Sequence, residues 1–468
     1  MTHIRPLAST STNPVLVGES VVGDDSEFAR GTMRRVMLRL VPLLFALYIC
    51  NFVDRTNLSI AALQMNADLR FSATAFGFGS GIFFLGYVVF EVPSNLILAR
   101  VGARRWIARI MITWGLVASA MMFVRTPAQF YWARFLLGVA EAGFFPGIAY
   151  YLSQWFPAER RARSLAGFMI AIPISAAIGN PLGAWLLGLN GSLGLRGWQW
   201  LFLLEGIPSV LLGVAVLVLL TDRVEEAGWL SEDQRAWLAA RLARDEDQSS
   251  APHEVASLGA LRHPLLWLAA LPYLLTITAG YGYVFWAPTI IRDTLHVSNL
   301  ATGFITGGIA CVAGVAMLAL GARSDRTGER CLYAGGTAFL GAIGCAGAAL
   351  LTTPLGRVGG LALMHVGLVT YLVVFWCLPS LLLRGTAAAA GLALVNSIGS
   401  IGGFAGPYLI GWLKDTTGGT RGAFLVLGAM ALAAAGLSLV LRRQPAFASP
   451  RTAITRPTPN ASSLSSVT

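Results

Sequence analysis

The sequence predicts an all-α membrane protein with twelve transmembrane helices in two pseudo-symmetric six-helix halves. Three observations lead there. The 468-residue chain is 55% hydrophobic and only 12% charged, against about 25% charged residues in soluble domains. Its arginines crowd into alternate short loops. Two motifs of the first half return in the second at one fixed offset.

Residues 1–35 are rich in Ser, Thr and small polar side chains, with no apolar core leading to a cleavage site. They are expected to form a disordered cytoplasmic tail rather than a signal peptide. Apolar segments follow at 37–63, 76–98, 104–124, 128–152, 163–188 and 198–220, which make a first half over 36–220. The second half, 264–442, repeats the series at 264–291, 300–320, 329–351, 357–382, 387–413 and 421–441. Each segment reaches the roughly 20 residues that a 30 Å hydrocarbon core demands. Between the halves lies a charged loop, 221–263, expected to be cytoplasmic. Its Trp229, Leu230, Trp237, Leu238 and Leu242 suggest a short amphipathic helix on the membrane surface, the plainer reading being a solvated linker. Residues 443–468 are expected to be a second disordered cytoplasmic tail.

Charge sets the expected orientation. Of 34 basic residues, Lys414 is the only lysine. With the N-terminus inside, 25 basic residues fall on the inner side and seven on the outer, leaving Arg55 and Arg134 within the membrane. That asymmetry puts both termini in the cytoplasm. It also argues against nucleic acid as a partner, which would call for arginines on one soluble face. The five cysteines show no CxxC or Cys/His spacing, so neither a disulfide frame nor a metal site is expected.

The repeat is specific. Gly102, in the loop Val101-Gly-Ala-Arg104-Arg105, and Gly328, in Asp325-Arg326-Thr-Gly328-Glu-Arg330, are 226 residues apart. Pro181, in Gly179-Asn-Pro-Leu-Gly183, and Pro407, after Gly402-Gly-Phe-Ala-Gly406, keep the same spacing of 226. Transporters built from two such halves hold substrate near the midplane between them.

Buried charge points to the chemistry. In Tyr131 to Pro146 an apolar run carries Arg134 and Glu141, seven residues apart. Two helical turns put both on nearly one face, about 10 Å apart along the axis. An unpaired charge there costs at least about 2.5–3.5 kcal/mol. Asp54 and Arg55 are adjacent, hence about 100° apart around their helix, and each needs its own partner on another. Two apparent motifs fail. Thr278-Ala-Gly280-Tyr281-Gly282 looks like a potassium filter, but a filter needs four copies around an axis. Gly77-Phe-Gly79-Ser-Gly81 enters a membrane helix rather than a βαβ unit. With no P-loop in the sequence, transport is expected to draw on an ion gradient.

The sequence resembles the anion:cation symporter family of the major facilitator superfamily, and bacterial tartrate and phthalate-type organic-acid permeases within it. The likeness covers nearly all of 36–442. It rests on Asn51-Phe-Val-Asp54-Arg55-Thr-Asn57, Gly86-Tyr87-Val-Val-Phe-Glu91-Val-Pro93-Ser-Asn95 and Arg134 through Glu141 to Pro146. It continues with Trp155-Phe-Pro157-Ala-Glu159-Arg160, Gly197-Trp-Gln-Trp200 to Glu205, Phe285-Trp286-Ala-Pro288 and Asn396-Ser-Ile-Gly399.

The resemblance implies the major facilitator fold and a non-enzymatic secondary active transporter. It implies proton-coupled uptake (symport) of a small organic anion such as tartrate, a sugar acid or an aromatic carboxylate. The setting would be a bacterial inner membrane, with a monomeric protein needing no cofactor beyond the proton gradient; sodium is the second choice of ion. Asp54 and Glu141 would carry protons. Arg55 would bind the substrate carboxylate or hold ionised Glu141, and Arg134, Tyr87, Trp376 and Asn396 would complete the substrate site. Tyr281, Tyr283 and Trp286 are weaker candidates. The competing reading is a permanent ion-pair network with aromatics that only pack. Glu91, Glu205 and His365 are read as structural.

Gly102, Arg104, Asp325, Arg326 and Gly328 would form the gating loops. The first loop departs from the pattern, with Ala99-Arg100 where the superfamily has Asp before Arg. Two rival functions remain. A proton-coupled efflux antiporter is disfavoured by Asn180 before Pro181 and Gly183-Ala184 after it. A transporter-like sensor lacks room for a signalling domain.

Overall fold

The computed structural model describes residues 15–17, 20–22, 26–157, 170–249, 264–378, 385–444 and 447. A short antiparallel ribbon, β1 (Val15–Val17) and β2 (Ser20–Val22), precedes the helices. The first half contains α1 (Glu27–Asp68), α2 (Ala73–Val101), α3 (Ala103–Ala120), α4 (Pro127–Glu141), α5 (Phe144–Ser153), α6 (Ala171–Leu186) and α7 (Gly197–Leu219). A connecting helix, α8 (Glu232–Ser249), follows. The second half contains α9 (Pro264–Leu295), α10 (Asn299–Thr327), α11 (Arg330–Leu350), α12 (Pro354–Phe375), α13 (Gly385–Thr417) and α14 (Arg421–Leu441). Counting α4 and α5 as one broken span, 11 of these are long and apolar enough to cross a membrane. The remaining expected span, 387–413, lies within the 33-residue α13.

Three features differ from the sequence expectation. First, α1 starts at Glu27, inside the segment expected to be a tail, with Ser26 accepting the Ala29 amide at 3.1 Å. At 42 residues it is about 63 Å long, twice the hydrocarbon thickness and more than one crossing requires. Second, α8 lays its apolar side on the first turns of α1, and the chain just ahead of it packs on the residues that follow α5. Trp237 meets the Phe28 ring edge-on at 6.4 Å, Arg35 donates to Gln234 at 3.1 Å and Trp229 stacks on Trp155 at 5.5 Å. Third, the fourth span is two helices. Pro146 has no N–H to bond the Ala142 carbonyl and its ring crowds that carbonyl. The chain leaves the helix at Ala142 (φ −55°, ψ 132°) and Gly143 (φ 84°) before α5 begins. The start of the expected fifth span, the Ala158–Arg160 part of its preceding motif, residues 250–263 and most of the two tails lie outside the described residues.

The two halves repeat in backbone as well as in sequence. Gly102 and Gly328, ending α2 and α10, both have positive φ (95° and 71°) but differ in ψ (150° and 0°). Arg70 and His296, in the loops before those helices, share φ values of 54° and 52° although their side chains differ. Gly77 and Gly81 let α2 approach α13 until a side chain at either would strike the backbone of Pro407 or Phe404. Gly303 and Gly307, their repeat mates, do the same for α10 against Asn180, Pro181 and Ala177 of α6.

Further ties between the halves lie at the end of the bundle that holds the α1–α2 and α13–α14 loops. There the Asp415 carboxylate accepts the backbone amides of Ala73 (3.2 Å) and Thr74 (2.7 Å). Arg292 donates to the Leu63 carbonyl at 2.5 Å.

Candidate functional site

The site grows from α1, which passes between the halves at its middle. Arg55 points at α4 and the second half. Its Nη2 forms an ion pair with Glu141 Oε1, and its Nη1 lies 3.5 Å from the Tyr281 hydroxyl of α9. Aromatic rings surround the guanidinium: Phe52 and Phe83 at 5.3 Å and Tyr87 at 5.7 Å from its carbon. A cation on ring faces keeps attraction where water is excluded.

Glu141 is 1% exposed and is the last residue of α4. Its carboxylate therefore sits at the negative end of that helix dipole, and Arg55 supplies the compensating charge. The freed Ala142 carbonyl accepts Ser94 Oγ at 2.6 Å, and Ser94 in turn accepts Trp106 Nε1 at 3.0 Å. Any side chain at Gly143 would strike Ser94 Oγ.

Arg134, two turns before Glu141, is 1% exposed. Its guanidinium carbon lies 5.0 Å from the Phe83 ring and 6.0 Å from Phe285. Gly86 and Gly138 make this possible, since a side chain on either would strike the facing helix backbone. Among the described residues Arg134 has no carboxylate in ion-pair range, and its Nε and Nη2 make no hydrogen bond. The site thus brings two guanidiniums, Arg55 paired with Glu141 and Arg134 without a carboxylate partner among the described residues, to the Phe83 ring in apolar surroundings. Such a site complements an anion.

Asp54 lies elsewhere. As adjacent helical positions require, it turns away from Arg55 toward α3 and α7. One oxygen, Oδ2, accepts Trp114 Nε1 and Ser209 Oγ, both at 2.7 Å. Of the two expected proton carriers, only Glu141 touches an arginine. Tyr87 stands beside Arg55, as noted. Asn396 reaches the interface between halves, where its amide donates to both oxygens of Glu91 at 3.0 and 3.3 Å. Trp376, half-buried at the α12 end, packs edge-on against Tyr273 at 5.2 Å, and Tyr273 in turn fills the space beside Gly399 of α13. The weaker α9 candidates separate. Tyr281 reaches Arg55, Tyr283 stacks on His365 at 4.3 Å, and Trp286 donates to the Pro407 carbonyl at 3.0 Å.

The sequence reading did not assign Glu91 its cross-half partner, nor did it single out Asp222. In the α2–α3 loop, expected to be a gating loop, Asp222 just beyond α7 accepts the Arg104 amide at 2.7 Å and abuts Gly102. It thereby caps the start of α3. In the second loop Asp325 pairs with Arg330 at 3.3 Å, Glu329 with Arg442 at 3.0 Å, and Arg326 is exposed.

Comparison with known proteins agrees with this architecture. The family model of the Major Facilitator Superfamily matches residues 44–407. A relative named "Putative tartrate transporter" from Agrobacterium vitis is 48% identical over 420 residues, covering 90% of this chain and 96% of the relative. A "Quinolone resistance transporter" from Acinetobacter baumannii is 41% identical over 396 residues, covering 84% and 90%. Among solved structures, the xylose transporter XylE from E. coli, in a partially occluded inward open conformation, superposes with a TM-score of 0.68 at 12% identity. The match covers 87% of this chain and 98% of that one. This multi-pass membrane protein is a transporter, not an enzyme, and belongs to the Major Facilitator Superfamily.

Proposed function

We propose that the protein takes up a small organic anion together with protons across a bacterial inner membrane, by alternating access, with both termini cytoplasmic. The observation that carries this reading is the buried Arg134 guanidinium, without a carboxylate partner among the described residues, beside the Arg55–Glu141 pair. The 48% identical relative named "Putative tartrate transporter" supports a carboxylate as cargo.

In this mechanism the substrate carboxylate and Glu141 compete for Arg55. A proton on Glu141 releases the guanidinium, whose planar fork then takes the substrate carboxylate bidentately. Arg134 holds a second carboxylate or the far end of the molecule, and Tyr87 and Tyr281 close the sides. Two guanidiniums with neutral Glu141 balance a dianion such as tartrate. Entry of a dianion with a single proton would still move one negative charge inward, against about 2.3 kcal/mol per 100 mV. Electroneutral uptake therefore calls for a second proton.

The test is external pH in a lightly buffered suspension of expressing cells, as tartrate, sugar acids and aromatic carboxylates are added in turn. Alkalinisation with one acid, lost in Glu141→Gln, is expected. Acidification would overturn symport in favour of proton-coupled efflux, the reading that the 41% identical "Quinolone resistance transporter" favours.

A further inference from the structure

We propose that a polar cavity between the halves is a second subsite, one that holds the hydroxyl groups of a hydroxylated carboxylate such as a sugar acid or tartrate. The inference rests on the uptake of organic anions proposed above and narrows their class.

The cavity measures about 40 Å³ and has walls from α1 and α6 of the first half and α9, α10 and α12 of the second. A water-sized group needs roughly 10–15 Å³, so about three fit. The cavity lies one helical turn from the contact between Arg55 and Tyr281. Ser59 follows Arg55 by four residues on α1, and Val284 follows Tyr281 by three on α9; both line the cavity. Residues so spaced share a helix face, about 5–6 Å apart. Both steps run toward the end where Arg292 of α9 meets Leu63 of α1.

The lining is polar, yet among the described residues it contains no acid, arginine or lysine. The hydroxyls of Thr56, Ser59 and Thr306 donate to carbonyls of their own helices at 2.9, 2.7 and 2.9 Å. That leaves their oxygens as acceptors toward the cavity. Asn180 is 9% exposed and Tyr283 is 5% exposed. Their polar groups, and the imidazole of His365, make no hydrogen bond among the described residues. The Tyr283 and His365 rings stack at 4.3 Å, which fixes this wall.

Buried polar groups without partners are costly, so the cavity calls for a guest that forms hydrogen bonds. The three hydroxyl oxygens can only accept there, while Asn180, Tyr283 and His365 can also donate. A carboxylate has no hydrogen for the first set, and an ammonium has no lone pair for the second. A hydroxyl group serves both. With its carboxylate on the guanidiniums, a hydroxylated acid extends its alcohol carbons by about one turn, roughly 5.4 Å, into this space. An aromatic carboxylate would place a ring there, displace water and leave the same groups unpaired.

The test is calorimetric binding of two matched pairs of acids to purified full-length protein: gluconate against hexanoate, and tartrate against succinate. Within a pair the carbon chain and carboxylates are the same and only the hydroxyls differ. Wild type should bind the hydroxylated member of at least one pair about tenfold more tightly, as expected when the deoxy acid leaves buried partners unpaired. Tyr283→Phe, which keeps the ring stack, and Asn180→Leu should each weaken that hydroxylated acid about fivefold and leave its deoxy partner unchanged. A merely structural role would weaken both acids alike. Thermal unfolding identifies a misfolded variant, and the other variant then decides.

Equal affinities within both pairs, tighter binding of benzoate than of either hydroxylated acid, or parallel losses in the variants would overturn the subsite while leaving anion uptake in place. If wild type binds none of these acids, the anion reading itself fails and the subsite falls with it.

Discussion

Asp415→Ala tests how the two halves are held at one end. Its carboxylate lies on α13 of the second half and accepts the first amides of α2 in the first half, at 3.2 and 2.7 Å. The contact exists only while those ends are together. An anion at an exposed helix N-terminus contributes about 0.3–1 kcal/mol, and a side-chain cap about 0.5–2 kcal/mol. Because Asp415 is exposed, a value near 1 kcal/mol is appropriate. At about 1.4 kcal/mol per factor of ten, its loss moves the balance between closed and open ends by about fivefold. Under the expected orientation this end faces outward. Spin labels on cysteines at Arg70 and Gly419, in a background with the five native cysteines replaced, report the separation of the two loops. The long-distance population should rise about fivefold. Ser298→Ala is the control: its hydroxyl caps Ala301 at the start of α10 within the second half, so its loss weakens α10 equally in both states. Wild-type distances in Asp415→Ala, or an equal shift in Ser298→Ala, would refute the reasoning.

Two further substitutions probe the site. Gly143→Ala forces a side chain into φ 84° and onto Ser94, so it should destabilise by at least about 1–2 kcal/mol; an unchanged thermal midpoint would show that the break in the fourth span is not fixed. Arg134→Lys keeps the charge but loses the planar stack on Phe83. Tartrate binding measured by calorimetry should weaken about tenfold, from the roughly 1–2 kcal/mol that a desolvated cation–ring contact contributes, and an unaltered Kd would remove Arg134 from the site.

Much of this was legible before any coordinates. Apolar length located the spans, and the 226-residue offset of Gly102 and Gly328 anticipated two halves whose loops before α2 and α10 share a positive φ, at Arg70 and His296. The adjacency of Asp54 and Arg55 foretold separate partners, because a helix fixes the angle between neighbouring side chains. It says nothing of which helix fills each direction, so the placement of Asp54 against Trp114 and Ser209 needed the packing of α3 and α7. Asp222 was hidden for a similar reason: the acid missing from one loop is replaced by another 118 positions away from the amide it caps. The break after Glu141 did have a local signal. Gly143 and Pro146 flank it, and a proline removes the hydrogen bond to the residue four before it. Apolarity alone masked it, since both pieces are equally greasy.

The arrangement of buried charge has an evolutionary consequence. Asp54, Arg55, Arg134, Glu141 and Glu205 all belong to the first half. Among the described residues the second half's contribution to the same region is neutral: Tyr281, Phe285 and Asn396. Of the two similar scaffolds, the first carries the buried charge found there among the described residues. Under the proposed function, diversification toward new cargo can proceed by redecorating the uncharged wall, leaving the proposed proton-coupling residues untouched. Chimeras that exchange α9–α14 between relatives should inherit cargo preference from the donor of those helices and ion dependence from the donor of α1–α7.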